Sequence, residues 1–436
     1  MKKPTKNPNL LEINYQYRTY PNQEIKNTLA WIVNELRLLY NYFLKQYRQA
    51  DKWISKLPKR EQNREWNKLL GQQQKELVEI KKQKPELYQI QSQVLHDIPY
   101  RLLPLIWNGF LTKRAELKKQ SKRARYPRVK EKKETFNHIV YPQQNIKREN
   151  NEVWVFQVAE NWLIIKQGSA VRQSERELKI PLVLHRPIQG KIKTLILAWK
   201  NNEYYANFAC QLPKPKQLSL SEIKRQIGID VGMINFFATS EGWKYANPQF
   251  LNKMAWRLKE LYQSLSLKKH RRSKDDKTKN SKHFEKARLK LMKAFRQVVR
   301  RINDRNHKLS RKITDKFDLI AYEIWKLSEA FEKKDKKRKF TKYTVKGLSE
   351  LGITDFFTKL DYKAKAKGKI VYPVEPRNTS KRCFECKIIN SNLEKQRWFI
   401  CANPLCDYEA DRDINASKNI LYKAQTELGT LSSERI

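Results

Sequence analysis

"RQIGIDVGMINFFATSEG" runs from Arg225 to Gly242, and its reading decides the fold of the carboxy-terminal half. Two apolar runs flank a glycine-containing turn, so two short strands are expected. Asp230 lies inside the first run, where an unpaired carboxylate is costly. Glu323 is placed the same way inside "DLIAYEIW", and "GKIVYPVEP" reads as one more strand. Between these strands, Pro248 to Asp315 reads as helical and very basic, interrupted by "KKHRRSKDDKTKNSK". Strands alternating with helices predict an α/β domain.

A third group of acids follows in "CDYEADRDINASKNI", Cys406 to Ile420. Asp407, Glu409, Asp411 and Asp413 crowd together in a chain whose formal net charge is +47. Ile414, Ser417, Ile420 and Leu421 recur at helical spacing, which predicts a helix beginning near Asp413. Asp411 then precedes the first turn, where a carboxylate caps free backbone N–H groups. Two residues along a helix rotate a side chain by about 200°, so Asp411 and Asp413 cannot both face Asp230 and Glu323. Metal binding is therefore assigned to Asp413 and capping to Asp411, with Asp407 and Glu409 left exposed. Asp230, Glu323 and Asp413 together suit a phosphodiesterase site, in which hard oxygens hold two Mg²⁺ ions about 3.5–4 Å apart. Singly, each acid has a structural alternative: Asp230 capping the turn at Gly232, Glu323 paired with a lysine or arginine. The set favours the metal.

Four of the five cysteines fall in one segment, as "CFEC" (Cys383, Cys386) and "CANPLC" (Cys401, Cys406). Paired knuckles of thiolates suit one tetrahedral structural Zn²⁺ in a reducing compartment, in preference to two disulfides. A closed four-cysteine site has no open position, so it argues for a metal and not for catalysis. Cys210, at the end of the apolar strand "YYANFAC", reads as a core residue.

The amino-terminal half opens on "LEINYQYRTYP", whose alternating Leu11, Ile13, Tyr15 and Tyr17 predict a half-buried strand ended by Pro21. Ile25, Leu29, Ile32, Val33, Leu36, Leu39 and Phe43 then follow helical spacing, and helical sequence continues to about residue 120. "EVWVFQV", "NWLIIKQ", "LKIPLVLH", "KTLILAWK" and "EYYANFAC" are strands, with "KNNE" (Lys200 to Glu203) a hairpin turn. The first strand lacks a neighbour to pair with, so it joins this later sheet. The helical block is thus an insertion into a β-barrel-like domain, and "QLPKPKQLSLSE" (Gln211 to Glu222) links the halves.

Composition bounds the partner. With 92 Lys and Arg against 45 Asp and Glu, and hydrophobic residues at 39%, this is a folded polyanion binder and not a disordered tail. The sequence offers no membrane-spanning run and no signal-peptide core, which leaves nucleic acid as the polyanion. Two basic runs with interleaved aromatics, Thr112 to Lys133 and Glu332 to Tyr343, are candidates to track a phosphate backbone.

"GIDVG", "YEIW", "NTSKRCFEC" and "DRDINASKNI", in this order, resemble the TnpB family, insertion-sequence nucleases related to small type V CRISPR effectors. "SQVLHDIPYRL", "YPRVK" and "DRNHKLSRKI" are similar to stretches of that family, so the resemblance spans nearly the whole chain. It implies a multi-domain α+β and α/β protein: a wedge-type β-barrel with an inserted helical recognition lobe, then an RNase H-like, RuvC-type nuclease domain with an inserted zinc ribbon. The expected boundaries are 1–21 and 126–218 for the barrel, 22–125 for the lobe, 219–376 and 409–436 for the nuclease, and 377–408 for the ribbon. Asp230, Glu323 and Asp413 match the family's catalytic acids, and Cys383, Cys386, Cys401 and Cys406 the ribbon's ligands. A guide RNA, a target DNA beside a short flanking motif, and action in the cytoplasm of a prokaryotic cell follow from the same resemblance. Oligomeric state, monomer or dimer, stays open. Gln93 and Thr135 lie near the family's flanking-motif reader, while Arg128 and Lys130 suit phosphate contacts. Arg123 and Arg305, in the other matching or basic stretches, complete the nucleic-acid candidates.

The chain departs from the family at Ile324, where an acid is usual, at Lys387, where glycine is frequent, and in its longer second knuckle. No catalytic acid is lost. Three further readings compete: a type V effector served by a CRISPR RNA, an RNA-guided regulator without cleavage, and a plain structural RNA-binding protein. The last needs no buried carboxylates on two strands.

Overall fold

Tyr15 and Tyr17 turn one face of the opening strand, β1 (Leu10–Thr19), into the core, while Glu12, Asn14 and Gln16 face water. In the computed structural model, residues 9–131, 136–147, 152–200, 203–268, 281–324, 333–334, 337–338, 351–390 and 396–429 are described. The chain divides into two compact units, Met1–Pro213 and Lys214–Ile436, the division falling ahead of the expected boundary at residue 218.

In the first unit β1 finds its partners late in sequence. It pairs antiparallel with β9 (Glu203–Pro213) from Leu10↔Pro213 to Thr19↔Tyr204, and its end meets β7 (Glu177–Val183). The other strands are β2 (His138–Tyr141), β3 (Asn145–Lys147), β4 (Glu152–Trp154), β5 (Phe156–Ala159), β6 (Trp162–Lys166) and β8 (Lys191–Lys200). The seven-stranded order is β2-β8-β9-β1-β7-β6-β5, a curled half-barrel where a wedge-type β-barrel was expected. One cause is local. "EVWVFQV" is not a single strand but breaks at Val155, whose N–H donates to the Gln144 carbonyl at 2.7 Å. β4 is thereby diverted into a separate pair with β3, and β5 becomes an edge.

The inserted helices are α1 (Gln23–Ile54), α2 (Lys59–Gln83), α3 (Ser92–Arg101) and α4 (Asn108–Lys119). Asn22 caps α1 by accepting the Ile25 N–H at 2.8 Å. Leu29, Leu36, Phe43, Leu44 and Tyr47 bury its apolar stripe. Between α3 and α4 the helix widens into a π-turn over Leu102–Trp107, which accommodates Pro104, a residue with no N–H to donate. Trp107 packs there against Tyr47, edge-on to Trp66 and stacked on Tyr126.

Tyr126 and Lys130, expected with the sheet, are instead fastened to α1. The Tyr126 hydroxyl donates to buried Asp51 at 2.8 Å, and Asn41 holds both the N–H and the carbonyl of Lys130. Cys210 is core, as expected; burial pushes its thiol up to about 11.

The second unit holds β10 (Gln226–Val231), β11 (Asn235–Thr239), β12 (Lys244–Ala246), β13 (Leu319–Glu323) and β16 (Ile370–Val374) in one sheet, ordered β12-β11-β10-β13-β16. The central pairs β10–β13 and β13–β16 are parallel, while β11 and β12 run antiparallel. Two-residue strands β14 (Lys333–Lys334) and β15 (Lys337–Arg338) pair apart from it.

Helices α5 (Ala255–Leu267) and α6 (Lys282–Lys316) follow β12, and α7 (Ile353–Lys365) follows β15. Ile227, Ile229, Val231 and Ile320 face α6 and α7, where they meet Leu309, Ile313, Phe356 and Leu360. On the opposite face Ala321 and Val374 pack against Ile420 and Ala424 of the last helix, α8 (Arg412–Leu428). The result is three layers, helix–sheet–helix. β17 (Trp398–Ile400) and β18 (Glu409–Asp411) form a separate hairpin beside the cysteines, so this small module runs up to the start of α8.

Candidate active site and metal centre

Alternation along β10 gives the site its origin. Gly228 and Asp230, two apart, share the face that α8 covers, while Ile227, Ile229 and Val231 fill the other. A Cβ at Gly228 would stand 2.1 Å from the Ser417 carbonyl, so only glycine lets α8 lie this close. From there α8 runs antiparallel to β10, its Gln425 side chain donating to Gln226 at 3.1 Å. Its amino-terminal end, with Asp413, therefore reaches the carboxyl end of the strand, where Asp230 is. Glu323 joins them because the parallel register matches Ile229 with Tyr322, which sets Asp230 and Glu323 side by side at the next position.

The three carboxylates are half-buried. Burial, then the charges of Glu323 and Asp413, hold the Asp230 carboxyl well above its ordinary range. Glu323 is also raised by burial, opposed by a 2.7 Å hydrogen bond from the Thr379 hydroxyl and by the charge of Lys423. Asp413 accepts weak contacts from Asn235 and Arg397, each at 3.4 Å. The donor set is three carboxylates from three elements, hard oxygens of the kind divalent cations take, with ionisation of Asp230 opposed first by burial and then by the other two charges. Asp411 plays the separate part expected of it. Its Oδ1 accepts the N–H groups of Asp413 at 2.9 Å and Ile414 at 3.3 Å, and its Oδ2 pairs with Lys244 at 2.5 Å. Glu409 accepts from the Trp398 indole at 3.2 Å, and Asp407 is exposed.

The cysteines converge more tightly. Among the described residues they are the group of three or more potential ligands whose donor atoms all lie within 4.8 Å of one another. Cys383 and Cys406 sulfurs are 3.9 Å apart, and those of Cys386 and Cys401 are 3.4 Å apart. Tetrahedral zinc with Zn–S bonds of about 2.3 Å sets sulfurs about 3.8 Å apart, so the cluster fits one ion. Its long second knuckle folds back through Asn403. That side chain accepts the Leu405 N–H at 3.1 Å, its carbonyl accepts the Cys406 N–H at 3.0 Å, and its own N–H reaches the Cys401 sulfur at 3.4 Å. Buried Asn390 ties the knuckles together through the Ile400 carbonyl at 2.6 Å and the Ala402 N–H at 2.9 Å. Lys387 stands at φ 64°, which gives a physical reason for glycine at this position.

The nucleic-acid candidates separate. Gln93 is half-buried on α3 and reaches Gln143 at 3.3 Å. Arg123 and Arg128 are exposed on the extended segment that α1 holds through Tyr126 and Lys130. Thr135 and most of the run from Glu332 to Tyr343 lie outside the described residues. Arg305 is a correction: it is 5% exposed, its guanidinium donating to the Leu351 carbonyl and to Asn306 and lying 3.7 Å from the centre of the Phe236 ring. Burial pulls it down to about 10. It is a core cation joining α6, β11 and the start of α7, with no face toward a phosphate. Sequence reasoning also gave no role to Thr379, Asn390, Asn415 or Asn419; their proximity to the cysteines and to the last acid was the available signal.

Comparison with known proteins agrees with this layout. A family model described as "Probable transposase" matches residues 208–333, and one described as "Cas12f1-like, TNB domain" matches 354–420. The putative transposase R186 of Acanthamoeba polyphaga mimivirus is 28% identical over 199 residues, 45% of this chain and 39% of that protein. The CRISPR-associated endodeoxyribonuclease Cas12f1 of Sulfoacidibacillus thermotolerans is 27% identical over 229 residues, 51% of this chain and 50% of its own. A putative RNA-guided DNA endonuclease of Streptomyces pristinaespiralis is 22% identical over 419 residues, 93% of this chain and 88% of its own. The chain thus covers half or less of the first two relatives. The matches define a transposase-related protein with a cysteine module near its end. These similarities agree with the resemblance to the TnpB family carried by the sequence motifs.

Proposed function

We propose that this chain is an RNA-guided DNA endonuclease of a transposable element. In this reading the second unit is an RNase H-like, RuvC-type nuclease domain, and the half-barrel with its helices is the wedge and recognition lobe. The observation that carries it is the meeting of Asp230, Glu323 and Asp413 at the carboxyl end of two parallel strands, with the Asp230 carboxyl raised well above its ordinary range by burial and then by the charges of the other two. The order β12-β11-β10-β13-β16, with its antiparallel edge and parallel centre, supports the RNase H-like reading.

Asp230, Glu323 and Asp413 would hold Mg²⁺. Bound there, paired divalent ions supply an activated water and stabilise the leaving oxygen of a phosphodiester. The chain's own residues fix the ligands: Asp411 caps α8 so that Asp413 points inward, and Gly228 sets the depth of that helix. The surplus of 92 basic over 45 acidic residues supports a guide RNA and a target DNA as partners, as does the name of the Streptomyces relative. Exposed Arg123 and Arg128 are proposed phosphate contacts, Gln93 and Thr135 contributors to flanking-motif choice. Four sulfurs at tetrahedral spacing support a structural Zn²⁺. Among the described residues no helix is long and apolar enough to cross a membrane, and action on DNA in a prokaryotic cytoplasm is part of the proposal.

The test is to sequence RNA that co-purifies with the protein and to present a DNA matched to its variable end. The reading expects RNA of defined ends and Mg²⁺-dependent cleavage of the matched DNA. A random spread of cellular fragments with no cleavage would reduce the protein to a nonspecific basic binder.

A further inference from the structure

Thr379 is 4% exposed, and its hydroxyl donates to Glu323 Oε2 at 2.7 Å across 56 residues of sequence. Its own position is fixed from the cysteine module. Asn378 turns the chain at φ 61°, and its carbonyl accepts the Arg382 N–H at 3.0 Å, closing a tight loop that ends at the buried ligand Cys383. Helix α8 clamps that loop. Asn419 donates to the Thr379 carbonyl at 3.0 Å and to the Arg382 carbonyl at 2.7 Å. Asn415 donates to the same Arg382 carbonyl at 2.9 Å and accepts the Phe384 N–H at 3.1 Å. Asn415 and Asn419 are four apart, on one face of the helix that carries Asp413. Both asparagines are buried.

We infer that Thr379 is the positioning residue of Glu323, and that the cysteine module and α8 hold it in place. One rigid loop thereby links the zinc site to the catalytic carboxylates. A metal-ligating carboxylate that accepts a hydrogen bond on one oxygen presents the other in a fixed direction, and loss of such a supporting donor typically costs 10–100-fold in metal affinity. The inference rests on the reading of Glu323 as a metal ligand.

The test uses the full chain with its co-purified RNA and reads Mn²⁺ binding by electron paramagnetic resonance, alongside zinc content, for unmodified protein, T379V, T379S and E323Q. Valine keeps the shape and removes the donor; serine keeps the donor. Expected for T379V is one zinc per chain, as in the unmodified protein, with Mn²⁺ affinity lowered by about 10-fold or more, and T379S should restore most of it. N419A, which frees the Thr379 carbonyl, should move affinity the same way. Unchanged Mn²⁺ affinity in zinc-loaded T379V overturns the inference, as does loss of zinc from T379V, which would make Thr379 a support of the cysteine module alone. E323Q separates the two claims. If it binds Mn²⁺ and cuts DNA like the unmodified protein, the reading of Glu323 fails; if it is inert while T379V behaves normally, only the positioning role fails.

Discussion

Gly228 on β10 and Ser417 on α8 approach so closely that a Cβ on the former would lie 2.1 Å from the carbonyl of the latter. The obstacle is helix backbone, which cannot swing aside as a side chain does. Gly228→Ala should therefore push α8 off the sheet, lower stability by about 1–3 kcal/mol in urea unfolding and impair cleavage. Gly71 is the control. It lies inside α2 with nothing within 4 Å of a Cβ, so Gly71→Ala should stabilise by about 0.5–1 kcal/mol.

Burial, and then the charges of Glu323 and Asp413, make Asp230 costly to ionise in the folded chain. Asp230's pKa is raised in the folded chain, so its contribution to stability is full below the unfolded value near 3.8 and is lost as pH rises through the folded value. Asp230→Asn should raise the melting temperature in magnesium-free buffer at neutral pH, and the advantage should shrink toward pH 4. Melting curves of the two proteins across pH check this. Equal melting temperatures at pH 7 would mean the acids do not strain one another.

Arg305 and Arg128 should behave as opposites. Removing the Arg305 guanidinium leaves the Leu351 carbonyl and Asn306 unsatisfied in the core, so Arg305→Ala should cost about 2–4 kcal/mol of stability. Arg128→Ala should leave melting unchanged and weaken nucleic-acid binding evenly across sequences, with a salt dependence reduced by about one charge. Melting and salt-titrated binding on both variants separate these roles.

Zinc should be present at one ion per chain despite the long second knuckle. Asn403→Ala removes the acceptor that folds this knuckle back, and should weaken zinc retention against a competing chelator while leaving the ion bound at equilibrium without one. Elemental analysis before and after chelator challenge measures both.

The half-buried strand at Leu10–Thr19, its distant partners and the helical insertion were legible because alternation and helical spacing are local signals. The three acids and four cysteines were legible for a related reason, since charge within an apolar strand and paired knuckles stand out in one dimension. What escaped depends on three-dimensional neighbours. Arg305 sits among many cations of a basic helix, and what distinguishes it is its surroundings: the Phe236 ring, the Leu351 carbonyl and Asn306. Thr379 was part of a quoted motif, yet its bond to Glu323 spans two elements that no pattern connects. The break in "EVWVFQV" also escaped, because it shows only in the pairing of the Val155 N–H with the distant Gln144 carbonyl.

On the proposed function, Asp413 and not its neighbour Asp411 completes the metal site with Asp230 and Glu323. Mg²⁺-dependent cleavage of a guide-matched DNA by Asp413→Ala and Asp411→Ala tests it most directly. The account predicts that Asp413→Ala abolishes cleavage while retaining RNA and target binding. It predicts that Asp411→Ala loses about 1 kcal/mol of stability with its cap and keeps much of the activity. An inactive Asp411→Ala beside an Asp413→Ala that still cuts would contradict it.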